Sequence, residues 1–183
     1  MGVSMKRSFA FVCGPALIAC SLLAQAPTPL PTPNPVIGVW KQNMEKSTYS
    51  PGPPPPRGVG NVRQYAAGLD GSIVAVTFNM SSEGLPSLGA ISAANYDGKD
   101  YPQHTIATLA ASLASHIGPQ IQRTIAYRSI NSNTVEIVQK QDGQVVAVST
   151  RTISRDGQTM TDRSDYTDPN GQHVANVLVF ERQ

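Results

Sequence analysis

Three histidines, His104, His116 and His173, are the side chains best suited to proton transfer or metal ligation near neutral pH. No two stand at the i, i+4 spacing that puts two ligands on one helix face, and both cysteines, Cys13 and Cys20, fall in the first twenty residues. A Gly-x-Ser-x-Gly elbow for a nucleophilic serine is absent. Gly58 and Gly60 follow a proline run and no Lys-Ser/Thr comes after them, so the chain lacks a phosphate-cradling loop. Asp162, Asp165 and Asp168 form the one dense carboxylate group. On a strand, however, Asp162 and Asp165 point to opposite faces, Asp168-Pro169-Asn170-Gly171 reads as a turn, and the spacing is not that of a calcium loop. These residues carry no catalytic, metal or cofactor motif, and the expected protein is non-enzymatic with neither cofactor nor metal.

The elements that would position such residues begin after a leader. Lys6-Arg7, an uncharged run from Ser8 to Leu23, and Ala24-Gln25-Ala26 have the order of an export signal over residues 1–26. Leu17-Ile18-Ala19-Cys20 also has the form of a lipobox, in which Cys20 would be lipidated and become the N-terminus. The two processing routes exclude one another. By either route the product is exported, to the periplasm, the cell envelope or the medium, with contact to a membrane only through a lipid on Cys20. Loss of Lys6 and Arg7 lowers the basic count from 14 to 12, equal to the 12 acidic residues, so the net charge falls from +2 to zero. A neutral chain without a dense Lys/Arg cluster has no footprint for nucleic acid.

Residues 27–35 alternate proline with other residues, which fixes φ and favours an extended linker, and Pro51–Pro56 reads as a rigid loop. From residue 36 to 183 a single domain is expected. Asp70-Gly71, Asp97-Gly98, Asp142-Gly143, Asp156-Gly157 and Asn170-Gly171 are pairs that tolerate the positive φ of tight turns. Between them the side chains alternate. One face of residues 72–80 carries Val74, Val76, Phe78 and Met80, and the other Ile73, Ala75, Thr77 and Asn79. Near the C-terminus Asn176, Leu178 and Phe180 alternate with Ala175, Val177 and Val179.

Nine strands follow from this pattern, near 36–43, 61–69, 72–80, 88–96, 121–130, 134–141, 144–154, 158–167 and 172–182. Residues 101–119 break it: Ile106, Leu109, Ala110, Leu113 and Ile117 fall at helical spacing, with Thr105 as cap and Gly118-Pro119 as stop. Long antiparallel strands joined by tight turns leave costly edges unless they close. The expected fold is therefore all-β, an up-and-down barrel or curled meander of 8–10 strands with one short helix near 105–117. His104 and His116 flank that helix. A hydrolase or isomerase working from the barrel mouth would need a His within hydrogen-bond reach of an Asp or Glu.

Gly38-Val39-Trp40 on the first strand resembles the opening motif of the lipocalin-like barrels, in which the Trp closes the barrel floor. The stretches Gly38–Ser47, Ser50–Pro53 and Tyr96–Pro102 are also similar to small exported bacterial domains of unknown function. The resemblance implies that Arg182, near the end of the last strand, stacks on Trp40, and that the barrel binds a small apolar or amphipathic molecule. Ser164-Asp165-Tyr166 matches the family's second motif only loosely, and the disulfides of many secreted members are absent. Val74, Val76, Phe78, Leu178 and Phe180 are the expected cavity residues, with Gly38, Trp40 and Arg182 as structural ones. The alternative is a structural or protein-interaction domain of the envelope whose barrel is filled.

Overall fold

The computed structural model describes residues 34–54, 60–113, 122–167 and 170–183. The leader with Cys20, residues 27–33 of the linker, Pro55-Pro56, His116, Gly118-Pro119 and Asp168 lie outside the described residues.

Ten strands follow in chain order: β1 (Gly38–Thr48), β2 (Gly60–Ala67), β3 (Ile73–Met80), β4 (Pro86–Ala94), β5 (Tyr101–Thr105), β6 (Arg123–Asn131), β7 (Thr134–Gln141), β8 (Gln144–Ile153), β9 (Thr159–Thr167) and β10 (His173–Arg182). Helix α1 (Ile106–Leu113) separates β5 from β6. Each strand pairs antiparallel with its chain neighbour, and β1 closes the sheet on β10, so the fold is an up-and-down barrel with no free edge. The glycine of each of the five anticipated turns has a positive φ, from 69° at Gly157 to 85° at Gly71.

One strand departs from the expected set. β5 lies in the stretch that the sequence pattern assigns to a break, because Pro102 cannot donate to a ladder and the five residues show too little alternation. It pairs with β6 at only Tyr101–Ile125 and Pro102–Thr124. Thr105 does cap α1, and reciprocally: its hydroxyl accepts from the Thr108 amide at 3.2 Å, and the Thr108 hydroxyl accepts from the Thr105 amide at 2.7 Å.

Alternation divides each strand into a lumen face and an outer face, and the lumen face changes character along the barrel. At one end Val36, Trp40, Tyr65, Ile73, Ile153, Met160 and Phe180 form an apolar floor. Towards the other end the inward series turn polar, as in Ile73-Ala75-Thr77-Asn79 on β3 and Met160-Asp162-Ser164-Tyr166 on β9.

The floor is locked by Arg182. Its guanidinium lies 4.3 Å from the Trp40 ring centroid and gives its nitrogens to three backbone carbonyls: Nε to Gly157 (2.6 Å), Nη1 to Ile37 (2.7 Å) and Nη2 to Pro35 (2.7 Å). The barrel thereby takes in Pro35 from the linker. Asn34 is engaged as well, its side chain accepting from the Val36 amide at 3.0 Å.

Gly38 makes the close approach possible. Its φ is +141°, and a Cβ there would meet Arg182 Nη1 at 2.5 Å. Gly38→Ala is expected to cost more than about 1 kcal/mol, lowering the thermal midpoint by about 2–4 °C per kcal/mol. An unchanged melting curve by circular dichroism would contradict this account of the floor.

Candidate functional site

Above the floor the barrel encloses a cavity of about 350 Å³. That is at the lower end of the range, about 300–1,000 Å³, of small-molecule sites. Its wall comes from β2 to β10. Tyr65, Ile125, Tyr127, Ile137 and Leu178 supply apolar surface, and Ser92, Gln103, Gln139, Ser149 and Ser164 supply neutral polar groups. Among the described residues Arg63, Arg123 and Arg151 and a single carboxylate, Asp162, also line it.

The charged layer follows from strand register. The Asp156-Gly157 turn lies midway between Arg151 on β8 and Asp162 on β9, and the hairpin places them directly opposite one another. Both face the lumen, so the pair forms inside. Arg151 grips the carboxylate with both arms, Nε to Oδ1 at 2.8 Å and Nη2 to Oδ2 at 2.9 Å. From β2, on another part of the wall, Arg63 Nη1 donates to Asp162 Oδ2. Aromatic faces carry the cations as well: Arg63 lies 4.2 Å from the Phe180 centroid and Arg151 4.9 Å from that of Tyr65.

Desolvation and charge oppose each other in this triad, and charge wins. Burial alone would raise the Asp162 carboxyl, but Arg151 and Arg63 together hold it well below the usual carboxylate range. Burial would likewise lower both guanidiniums, and the Asp162 charge keeps them raised instead. Tyr127 has no such counterweight of sufficient size: burial pushes its phenol up to about 12, so it stays a neutral hydrogen-bonding group. Arg123, at the start of β6, differs from the other two arginines. Its nitrogens reach the neutral Gln141 Oε1, at 3.3 Å from Nε and 3.2 Å from Nη2.

The structure brings two of the five expected cavity residues to the interior. Leu178 lines the cavity, and Phe180 is wholly buried in the floor beneath it. Val74, Val76 and Phe78 require a correction. They alternate with Ala75, Thr77 and Asn79, which line the cavity, and so stand on the outer face of β3. The apolar face of this strand is the outer one because the lumen here holds a polar space. Trp40 and Arg182 meet at the floor beside Gly38, as described. Asp162 and Asp165 do face opposite ways: Asp162 is in the lumen, while Asp165 is on the outside, 3.0 Å from His173 Nε2. This His–Asp contact is within hydrogen-bond reach, but its side chains are 64% and 74% exposed and it lies on the face opposite the cavity. His104 is exposed on β5. Among the described residues no three His, Cys, Asp or Glu side chains gather as a metal site would need.

Arg63, Arg123 and Arg151 were not among the expected site residues. Arg151 had a readable signal, its equal distance with Asp162 from the Asp156-Gly157 turn. Arg63 had none, since its partner is 99 residues away.

A closed antiparallel meander with a Trp–Arg floor and a polar lumen is consistent with a lipocalin-like barrel. The chain matches no protein-family model and no curated protein sequence.

Proposed function

We propose that this protein is an exported, non-enzymatic barrel that holds one small amphipathic molecule in its lumen, released from its leader after Ala26 or anchored through a lipid on Cys20. The observation that carries the reading is the 350 Å³ space left between the floor and the mouth. A barrel serving only as a scaffold gains by filling that volume, because each unfilled void forfeits dispersion contacts. Here short side chains, Ala75, Ala147, Ser92 and Ser149 among them, keep it open. The mixed wall suits a ligand with an apolar body and a polar end rather than a wholly apolar one.

Two dyes that fluoresce on leaving water test this, 1-anilinonaphthalene-8-sulfonate and its uncharged counterpart N-phenyl-1-naphthylamine. At least one is expected to bind saturably at one per chain. Ala147→Trp, which fills the lumen, is expected to weaken that binding at least tenfold while unfolding remains cooperative. If neither dye saturates, or if Ala147→Trp leaves binding untouched, the lumen is not the site.

A further inference from the structure

We infer that the lumen selects an organic anion, its oxyanion received by Arg123, with the inner guanidinium layer of Arg63 and Arg151 adding positive charge deeper in the same cavity. The inference rests on the cavity reading above and names the chemical class of its ligand. Among the described residues three guanidiniums and one carboxylate line the cavity, which leaves two positive charges inside the barrel wall. Cations brought out of water are stable only when compensated, and Asp162 can neutralise one of them. It is already engaged by two, Arg151 through both oxygens and Arg63 through Oδ2.

Arg123 has a neutral amide oxygen, that of Gln141, as its hydrogen-bond partner. Among the described residues it makes no ion pair, so it brings a full charge to the wall. A planar, permanently charged fork matches carboxylate, sulfonate or phosphate oxygens, and Ser92, Ser149 and Ser164 add hydroxyl donors to the same wall. Outside the cavity the described residues hold eight basic and ten acidic side chains, and Lys46, Lys99, Lys140 and Arg128 each have a carboxylate within 4.0 Å. The excess is local to the lumen.

The matched dyes separate this inference from the one beneath it, because they differ by the sulfonate alone. The sulfonated dye is expected to bind at least tenfold more tightly than N-phenyl-1-naphthylamine, with an affinity that falls as NaCl rises while that of the neutral dye does not. Arg123→Gln is expected to remove at least fivefold of the sulfonated dye's affinity and none of the neutral dye's. Arg128→Gln, which removes a cation paired with Glu136 on the outside, should change neither. Octanoate or octyl phosphate should displace the sulfonated dye where octanol does not, and whichever acid competes better identifies the oxyanion. Equal affinity for the two dyes, or an Arg123→Gln variant indistinguishable from the parent, would overturn anion selection while leaving a working cavity. If neither dye binds, the cavity reading itself has failed.

Discussion

Asp162→Asn is expected to cost the barrel about 3–5 kcal/mol at neutral pH, more than almost any other single polar substitution in the chain. The loss comes less from the broken hydrogen bonds than from what remains, two guanidiniums in a dry layer with no anion between them. The side chains of Arg151 and Asp162 are only 6% and 7% exposed, so water cannot take over. Aromatic faces at 4.2 Å and 4.9 Å soften the penalty without removing charge.

The same triad sets an acid limb. Because Asp162 is held well below its unfolded value of about 3.9, its stabilising contribution is complete above that pH and fades as pH falls towards the folded value. Urea unfolding should therefore show the gap between parent and Asp162→Asn narrowing from pH 7 to pH 2.5. Converting all three members to apolar residues, Arg63→Met with Arg151→Met and Asp162→Leu, should recover much of the loss, since the desolvation burden goes with the charges. A gap that stays constant with pH would mean that Asp162 is protonated in the fold or that its ion pairs contribute nothing.

The reason for this charged layer also explains which parts of the molecule were legible in the sequence. Turn chemistry and alternation were enough for the strand count to within one, for antiparallel order and for closure, because these depend on neighbours in the chain. β5 escaped because a five-residue strand with Pro102 has too little pattern and takes its place from β4 and β6 on either side. The choice of inner face succeeded on β10 and failed on β3 for a single physical reason. Near the floor the lumen is packed, so Phe180 points in, and Leu178 above it joins the apolar part of the cavity wall. Along β3 the lumen opens into the cavity, so Thr77 and Asn79 point in and Val76 and Phe78 point out. Hydropathy marks the inside of this barrel at the floor and on the apolar part of the cavity wall, where Ile125 and Ile137 point in, but not along β3, whose lumen face is polar. In an unfilled stretch the informative residues are mid-strand charges, and Arg151 and Asp162, equidistant from their turn, are the pair that a register argument finds.

Trp40→Ala should be the most damaging single change at the closed end, at about 3–5 kcal/mol. With about 2–4 °C lost per kcal/mol, the thermal midpoint should fall by about 6–20 °C. Trp40 is fully buried, and Phe180, Met160 and Val36 around it are as deep, so no neighbour has surface to spare for filling the hole. The indole also donates to the Val36 carbonyl at 2.7 Å, and its face carries the guanidinium that ties Pro35, Ile37 and Gly157 together. Removal of the ring thus strips the packing from beneath Arg182 as well as emptying a volume. Trp40→Phe separates these effects. It keeps an aromatic face for Arg182 and loses the indole donor, so its cost should be well under half that of the alanine variant. Arg182→Met tests the other partner: it leaves the ring and removes the three carbonyl contacts. If Trp40→Ala cost less than about 1 kcal/mol by denaturant unfolding, the barrel would not be closed by this floor, and the cavity above it would have no defined base.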